Sequence, residues 1–143
     1  MIKPHRRSRG GYRAWSRVSL RWADNDVYGH VNNTVYYEWF DSAVNSWLVG
    51  EGLLDLEKGD PIGLVVATAC DYFAPIAFPG AVEVGLGVDR LGRSSVTYCI
   101  GVFAEGAIEP AAQGSFTHVY VGRESRRPVE LPDSWRAAFE GLA

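Results

Sequence analysis

Residues 34–48, TVYYEWFDSAVNSWL, constrain this chain more than any other segment. Val35, Tyr36, Trp39, Phe40, Ala43, Val44, Trp47 and Leu48 recur at steps of one, three and four, which is the period of an α-helix. Glu38, Asp41, Ser42, Asn45 and Ser46 fill the remaining side. A stripe this wide is not hidden by resting on one flat surface, so the helix needs partners that wrap it. Asn32 or Asn33 is a natural N-cap, and Gly50 and Gly52 are natural stop signals.

The rest of the chain offers strands to do the wrapping. Before the helix, WSRVSLRW (15–22) alternates and sets Val18, Leu20 and Trp22 on one face. After it, IGLVVATACDYF (62–73) reads as a strand ended by Pro75 and Pro79. Val82, Val84, Leu86 and Val88 alternate, as do Val96, Tyr98, Ile100 and Val102, with DRLGRSS (89–95) as the turn of a long hairpin. Residues 113–124 supply a fifth strand. PDSWRAAFEGL (132–142) closes the chain as a short helix capped by Asp133 or Ser134. Short links between successive strands predict antiparallel pairing. The expected fold is α+β, a five-stranded antiparallel sheet curled around one central helix.

The length of 143 residues fits a single domain, here taken as 1–143, with a core that needs no staples. A net charge of −3 argues against a general nucleic-acid binder. Half of the 14 basic residues nevertheless fall in the first 21 positions, as Lys3, Arg6, Arg7, Arg9, Arg13, Arg17 and Arg21, with no acid among them. The expectation is a loose basic terminus over residues 1–11, with a phosphate-binding patch as the sharper alternative. Cys70 and Cys99 have no metal or CxxC spacing and are expected to be reduced packing residues. MIKPHRRSRG has no apolar core, and no apolar run reaches membrane-span length, which predicts a cytoplasmic protein.

Just before the central helix, DNDVYGHVNN (24–33) packs two aspartates, a histidine, three asparagines and a glycine into ten residues. It is either an elaborate turn and cap or a reaction site. As a calcium loop it fails, because the twelfth position from Asp24 is Val35 and Tyr28 occupies a ligand position. Asp24, Asp26 and His30 lack a convincing zinc spacing, so no metal is expected. No GxGxxG or P-loop appears, so no nucleotide cofactor is expected either.

This order of elements, with RWADNDVYGHVNNTVYYEWFD (21–41) at its centre, resembles the hotdog fold, in particular the 4-hydroxybenzoyl-CoA thioesterase-like acyl-CoA thioesterases. The likeness runs from about Arg13 to Val121. It implies hydrolysis of an acyl-CoA to free acid and CoA, with no cofactor beyond the CoA of the substrate. Asp26 matches the family's catalytic carboxylate, and Asn33 the helix-start position whose backbone N–H polarises the thioester carbonyl. His30 and Asn32 match the GHVNN variant of the motif, with His30 tuning the site and Asn32 at the substrate. Residues 90–95 match the hairpin that lies against CoA, implying contacts from Arg90, Arg93, Ser94 and Ser95. Two neighbouring positions that are basic in some members are Leu91 and Gly92 here.

The chemistry suits these groups. A helix N-terminus has free N–H donors and a positive dipole end for the charge that grows on the carbonyl oxygen. A nearby carboxylate activates water as a general base or attacks directly as a nucleophile. Alternatives are a thioesterase for acyl carrier protein, a non-catalytic acyl-CoA binding module and, less favoured, a hotdog dehydratase or a scaffold subunit. The resemblance also implies a homodimer or a dimer of dimers with sites at the subunit interface. Residues 68–72 and the loop through Phe78 would then face Asp26 of the partner subunit. Tyr37, Trp39, Trp47 and Phe73 are the candidates to line an acyl tunnel.

Overall fold

A computed structural model describes residues 5–143. Its elements are β1 (Ala14–Ser19), α1 (Asn33–Gly50), β2 (Ile62–Tyr72), β3 (Ala81–Leu91), β4 (Ser95–Ala104), β5 (Ala112–Val121) and α2 (Asp133–Glu140), with short 3-10 turns at Arg9–Gly11 and Trp22–Asp24. The five strands form one sheet in the order β1-β3-β4-β5-β2, and every pair is antiparallel. The sheet curls around α1. This is the hotdog fold.

The helix buries Val35, Tyr36, Trp39, Phe40, Ala43, Val44 and Leu48, as its period requires. Each such side chain contributes roughly 1.5–3 kcal/mol when removed from water, less for the alanine. Phe40 is fully buried, and its ring occupies the space over β5 that any side chain at Gly114 would fill. Asn32 is the N-cap, its side chain accepting from Thr34 N–H at 2.9 Å. Trp22 departs from expectation. β1 ends at Ser19, so Trp22 falls in the following turn and is 76% exposed instead of facing the core. Pro132, and neither Asp133 nor Ser134, occupies the cap position of α2, which has no side-chain cap.

Helix α2 covers the sheet with Trp135 and Phe139, both buried. Phe139 lies 5.5 Å from the Trp47 ring and 5.8 Å from that of Tyr120. Beneath it, the Tyr98 and Tyr120 hydroxyls are 2.7 Å apart, and His118 Nδ1 is 3.1 Å from the Tyr120 hydroxyl. His118 is 2% exposed, and burial pulls its pKa from 6.5 down to about 4. The unfolded chain therefore takes up this proton first as pH falls. Stability from a neutral buried His118 is complete above about pH 6.5 and drains away between 6.5 and about 4, by on the order of 3 kcal/mol. Urea denaturation at pH 7.5 and 4.5 should show a smaller acid-side loss in His118→Gln than in wild type. Equal losses would sink this assignment.

Residues 5–11 are not a loose terminus. They lie against the sheet, held by the Gln113 side chain of β5 through His5 and Arg7 and by ion pairs from Arg7 and Arg9 to Asp89 and Glu83 of β3. The Tyr12 ring sits where side chains at Gly85 and Gly101 would be; a Cβ on Gly101 would lie 2.6 Å from Tyr12 Cζ. This close approach is why those positions of β3 and β4 carry glycine. It also explains why the outward positions Cys99 and Phe103 are buried, with Tyr12, in a small second core. Gly101→Val should destabilise the protein by about 1–3 kcal/mol through overpacking, seen as a lower urea midpoint with an unchanged slope.

Arg7, Arg9 and Arg17, three of the seven basic residues in the phosphate-patch alternative, already have acid partners within the chain. Arg7 pairs with Asp89 at 2.7 Å, Arg9 with Glu83 at 2.6 Å and Arg17 with Glu105 at 2.9 Å. Their charge is met within the chain. Lys3 lies outside the described residues.

Candidate active site

The segment from Arg21 to Asn32 is built outward from a buried carboxylate. Asp24 is 1% exposed, accepts from Arg21 N–H at 2.7 Å, and takes Nε and Nη2 of the Arg21 guanidinium at 2.9 and 2.7 Å on its other oxygen. Its backbone oxygen accepts from Asn32 N–H at 2.9 Å, tying the turn to the start of α1. Asp24 is thus structural. Gly29, at φ +84°, lets the chain reverse, and Asp26 N–H donates to the His30 carbonyl at 2.9 Å. Asn25 accepts from Phe78 N–H at 3.1 Å, and Val31 N–H donates to the Ile76 carbonyl at 2.7 Å. The turn is therefore latched to the loop that enters β3.

Asp26 is half-buried. One oxygen accepts from Tyr28 N–H at 2.8 Å, an Asx-turn, and the other is 3.5 Å from Asn32 Nδ2. A carboxylate so held has one oxygen fixed and one nearly free at the mouth of α1. There the Asn32 side chain takes Thr34 N–H and the Asn32 carbonyl takes Val35 N–H. The Asn33 N–H, first of the helix, has no acceptor among the described residues.

Two hollows flank this point. Asp26 and Asn32 line one of about 670 Å³ with Trp22, Val27 and Tyr28, all three strongly exposed. His30 and Asn33 line a second cleft of about 380 Å³, with Tyr36 from α1 and Tyr72–Ile76 from the end of β2 and the loop after it. The Tyr36 and Tyr72 rings meet edge to face at 5.0 Å. Burial pushes the Tyr36 hydroxyl up to about 12, aided by Cys70, and pushes the Cys70 thiol up to about 11. The Tyr36 hydroxyl stays neutral near pH 7, and with Val31, Phe73, Pro75 and Ile76 beside it the cleft suits an apolar group next to a helix-end donor.

The structure brings Asp26 and Asn32 together, and His30 and Asn33 together, on two sides of one helix mouth. It does not bring Arg90, Arg93, Ser94 and Ser95 to them. Ser19 pairs with Ala81, so the Asp26 turn lies at the start of β3, while the hairpin lies at its end. Ten strand steps, about 33 Å, separate the two. The hairpin is held instead by the α2 region: Leu131 N–H donates to the Arg93 carbonyl, and Arg136 to the Gly92 carbonyl at 3.0 Å. Arg93 itself is exposed and 3.7 Å from Glu130.

The Phe78 loop lies against the Asp26 turn of its own chain, with the Phe78 ring 5.8 Å from Trp22. Trp39 is core and Trp47 packs at α2, so neither lines the cleft; of the four tunnel candidates only Phe73 does. Tyr36 and the latch residue Asn25 are not marked as site residues by the sequence, and Tyr72 is marked only within the 68–72 stretch expected to face a partner's Asp26. Only the placing of Asn25 between two aspartates of the motif could have signalled it. Among the described residues, no group of three His, Cys, Asp or Glu is placed to hold a metal ion.

Residues 20–139 match the family described as the thioesterase-like superfamily. The chain belongs to that superfamily, and with it to the thioester hydrolases. It is similar to PA5185 of Pseudomonas aeruginosa strain PAO1, at 51% identity over 96% of both chains with a TM-score of 0.91. It is also similar to PA2801 of Pseudomonas aeruginosa, described as a candidate thioesterase, at 31% identity over 87% of this chain and 95% of that one, TM-score 0.78. Slr0204 of Synechocystis, a 1,4-dihydroxy-2-naphthoyl-CoA thioesterase, shares the fold at 23% identity, covering 90% of this chain and 96% of its own, TM-score 0.79.

Proposed function

We propose that this protein is an acyl-CoA thioesterase whose reaction centre is the mouth of α1. The observation that carries this reading is the Asp26 carboxylate held beside the N-cap of an 18-residue helix, with one oxygen left nearly free. The thioester carbonyl sits at the Asn33 N–H, where the helix end offers a donor and a positive dipole. One such preorganised donor contributes roughly 2.7–4 kcal/mol to the transition state. Asp26 activates water, or attacks the carbonyl itself, and the CoA thiolate leaves. His30 borders the acyl cleft and Asn32 steadies the carboxylate. The reaction needs no cofactor beyond the CoA carried by the substrate. A cytoplasmic setting fits the two free thiols. Among the described residues, no helix is long and apolar enough to cross a membrane.

The working unit in this reading is at least a homodimer. β2 is an edge strand of eleven residues, paired among the described residues with β5 alone, and Leu64, Val65, Val66 and Tyr72 stand 38–59% exposed on it. So long and apolar an edge invites pairing with a second copy. Two β2 strands side by side would cover it and bring a second subunit toward the two open hollows. Arg90, Arg93, Ser94 and Ser95, if they grip CoA, act from a neighbouring copy, because their own Asp26 is a strand's length away.

The test is thiol release from short, medium, long and aromatic acyl-CoAs, with acyl carrier protein esters in parallel. Turnover of one class of CoA ester supports the reading. Turnover of carrier-protein esters alone moves the substrate to the carrier, and binding without turnover leaves a binding module.

A further inference from the structure

The N-terminal segment meets the sheet at a place that matters to the cleft. The Gln113 side chain donates to the His5 carbonyl and accepts from Arg7 N–H at 2.8 Å, so it grips the backbone on both sides of Arg6. The Arg6 guanidinium then lies over the Phe73 ring, 4.6 Å from its centroid, with Glu109 at 4.0 Å on one amino group. Phe73 is the first residue after β2. It opens the segment Phe73–Ile76 that forms one wall of the cleft containing His30, Asn33 and Tyr36. That wall is otherwise held by three backbone bonds: Phe73 and Ala74 N–H to the Ala111 carbonyl, and Val31 N–H to the Ile76 carbonyl.

We infer that residues 5–12 form a brace, and that Arg6 is a positioning residue which fixes the Phe73–Ile76 wall and so the acyl groups the cleft accepts. The inference rests on the hydrolase reading for its functional half only. Several features make the contact purposeful. The segment lies against the sheet, with Gly85 and Gly101 vacating the space for Tyr12 at one end and Gln113 gripping the backbone at the other. Arg7 and Arg9 are spent on ion pairs that anchor the segment. Among the described residues Arg6 has one acid partner, Glu109 at 4.0 Å, and sits on an aromatic face, the geometry in which a guanidinium binds a ring. Because Gln113 already orders the backbone around it, Arg6 gives up only side-chain freedom on docking.

Arg6→Ala and Arg6→Lys separate bracing from bulk stability. Backbone hydrogen exchange should quicken about two- to fivefold at Phe73 and Ala74 in Arg6→Ala, as for loss of an exposed cation–π contact. Exchange at core amides such as Val102 should not change, and Arg6→Lys should restore most of the protection. With acyl-CoAs, Arg6→Ala should raise KM about two- to fivefold for esters that fill the cleft while kcat on the smallest ester stays within twofold. Unchanged exchange at Phe73 and Ala74 would overturn the brace. Faster exchange with equal KM for every ester would overturn its role in acyl selection. A wild type that turns over no ester would sink the hydrolase reading and the acyl-selection half with it, and the exchange measurement would still decide the brace.

Discussion

Asp26→Asn should lower thiol release by about 10²–10⁴-fold, the usual worth of a positioned acid–base group, and leave the fold intact. The substitution is nearly isosteric. The asparagine oxygen keeps the bond from Tyr28 N–H, and no buried partner is orphaned, because the other oxygen is only 3.5 Å from Asn32 Nδ2. A helix end that still polarises the carbonyl would leave residual turnover, since the Asn33 N–H belongs to the backbone. Unfolding midpoint and acyl-CoA affinity should match wild type, so a fall in kcat with unchanged binding is the signature. A variant retaining more than a tenth of wild-type kcat would remove Asp26 from the mechanism. Single turnover in ¹⁸O-water then probes its two roles. Label found in the Asp26 side chain marks a nucleophile whose anhydride is opened at the aspartyl carbonyl, whereas label in the released acid alone fits both a general base and an anhydride opened at the acyl carbonyl, which trapping of an acyl-enzyme then separates.

The second large effect should come from the edge of the sheet. Val65→Lys with Ala67→Lys places charges on β2 that a paired copy would bring close to one another. Both residues are exposed in the single chain, so folding should survive with only a small change in urea midpoint. Sedimentation should show the mass fall from dimer to monomer, and activity should fall about 100-fold or more, because a site lacking its preorganised contacts loses rate steeply. A monomeric double variant with full activity would show that one chain carries the whole site. A wild type that is already monomeric would remove the interface from the reading.

Much of the architecture was legible in the residues. The period of α1 named its seven buried side chains, and the alternation of Val82–Val88 and Val96–Val102 named the inner face of β3 and β4. Both signals are local: a helix stripe and a pleat follow from backbone geometry and from which side meets water. The cap at Asn32 was equally local, since a short polar side chain next to an apolar run has one good use.

Failures of reading came wherever a residue's environment was set by distant chain. Trp22 continues an alternation on paper, but the strand stops at Ser19 and the ring stands in solvent beside Phe78. Residues 5–11 look like a frayed basic tail because their acids, Glu83, Asp89 and Glu109, lie far along the sequence, and the glycines that admit Tyr12 sit on β3 and β4. Asp26 and the Arg90–Ser95 hairpin belong to one motif set by resemblance, yet the antiparallel run of β3 holds them at opposite ends of the sheet. The helix, the inner faces of the strands and the polar turn at the helix mouth follow from the residues alone, because they depend on neighbours within a few positions. Which hollow each polar group enters, where the N-terminal charges meet their acids and which strand is left as an open edge are settled by the fold, because they depend on contacts closed across the whole sheet.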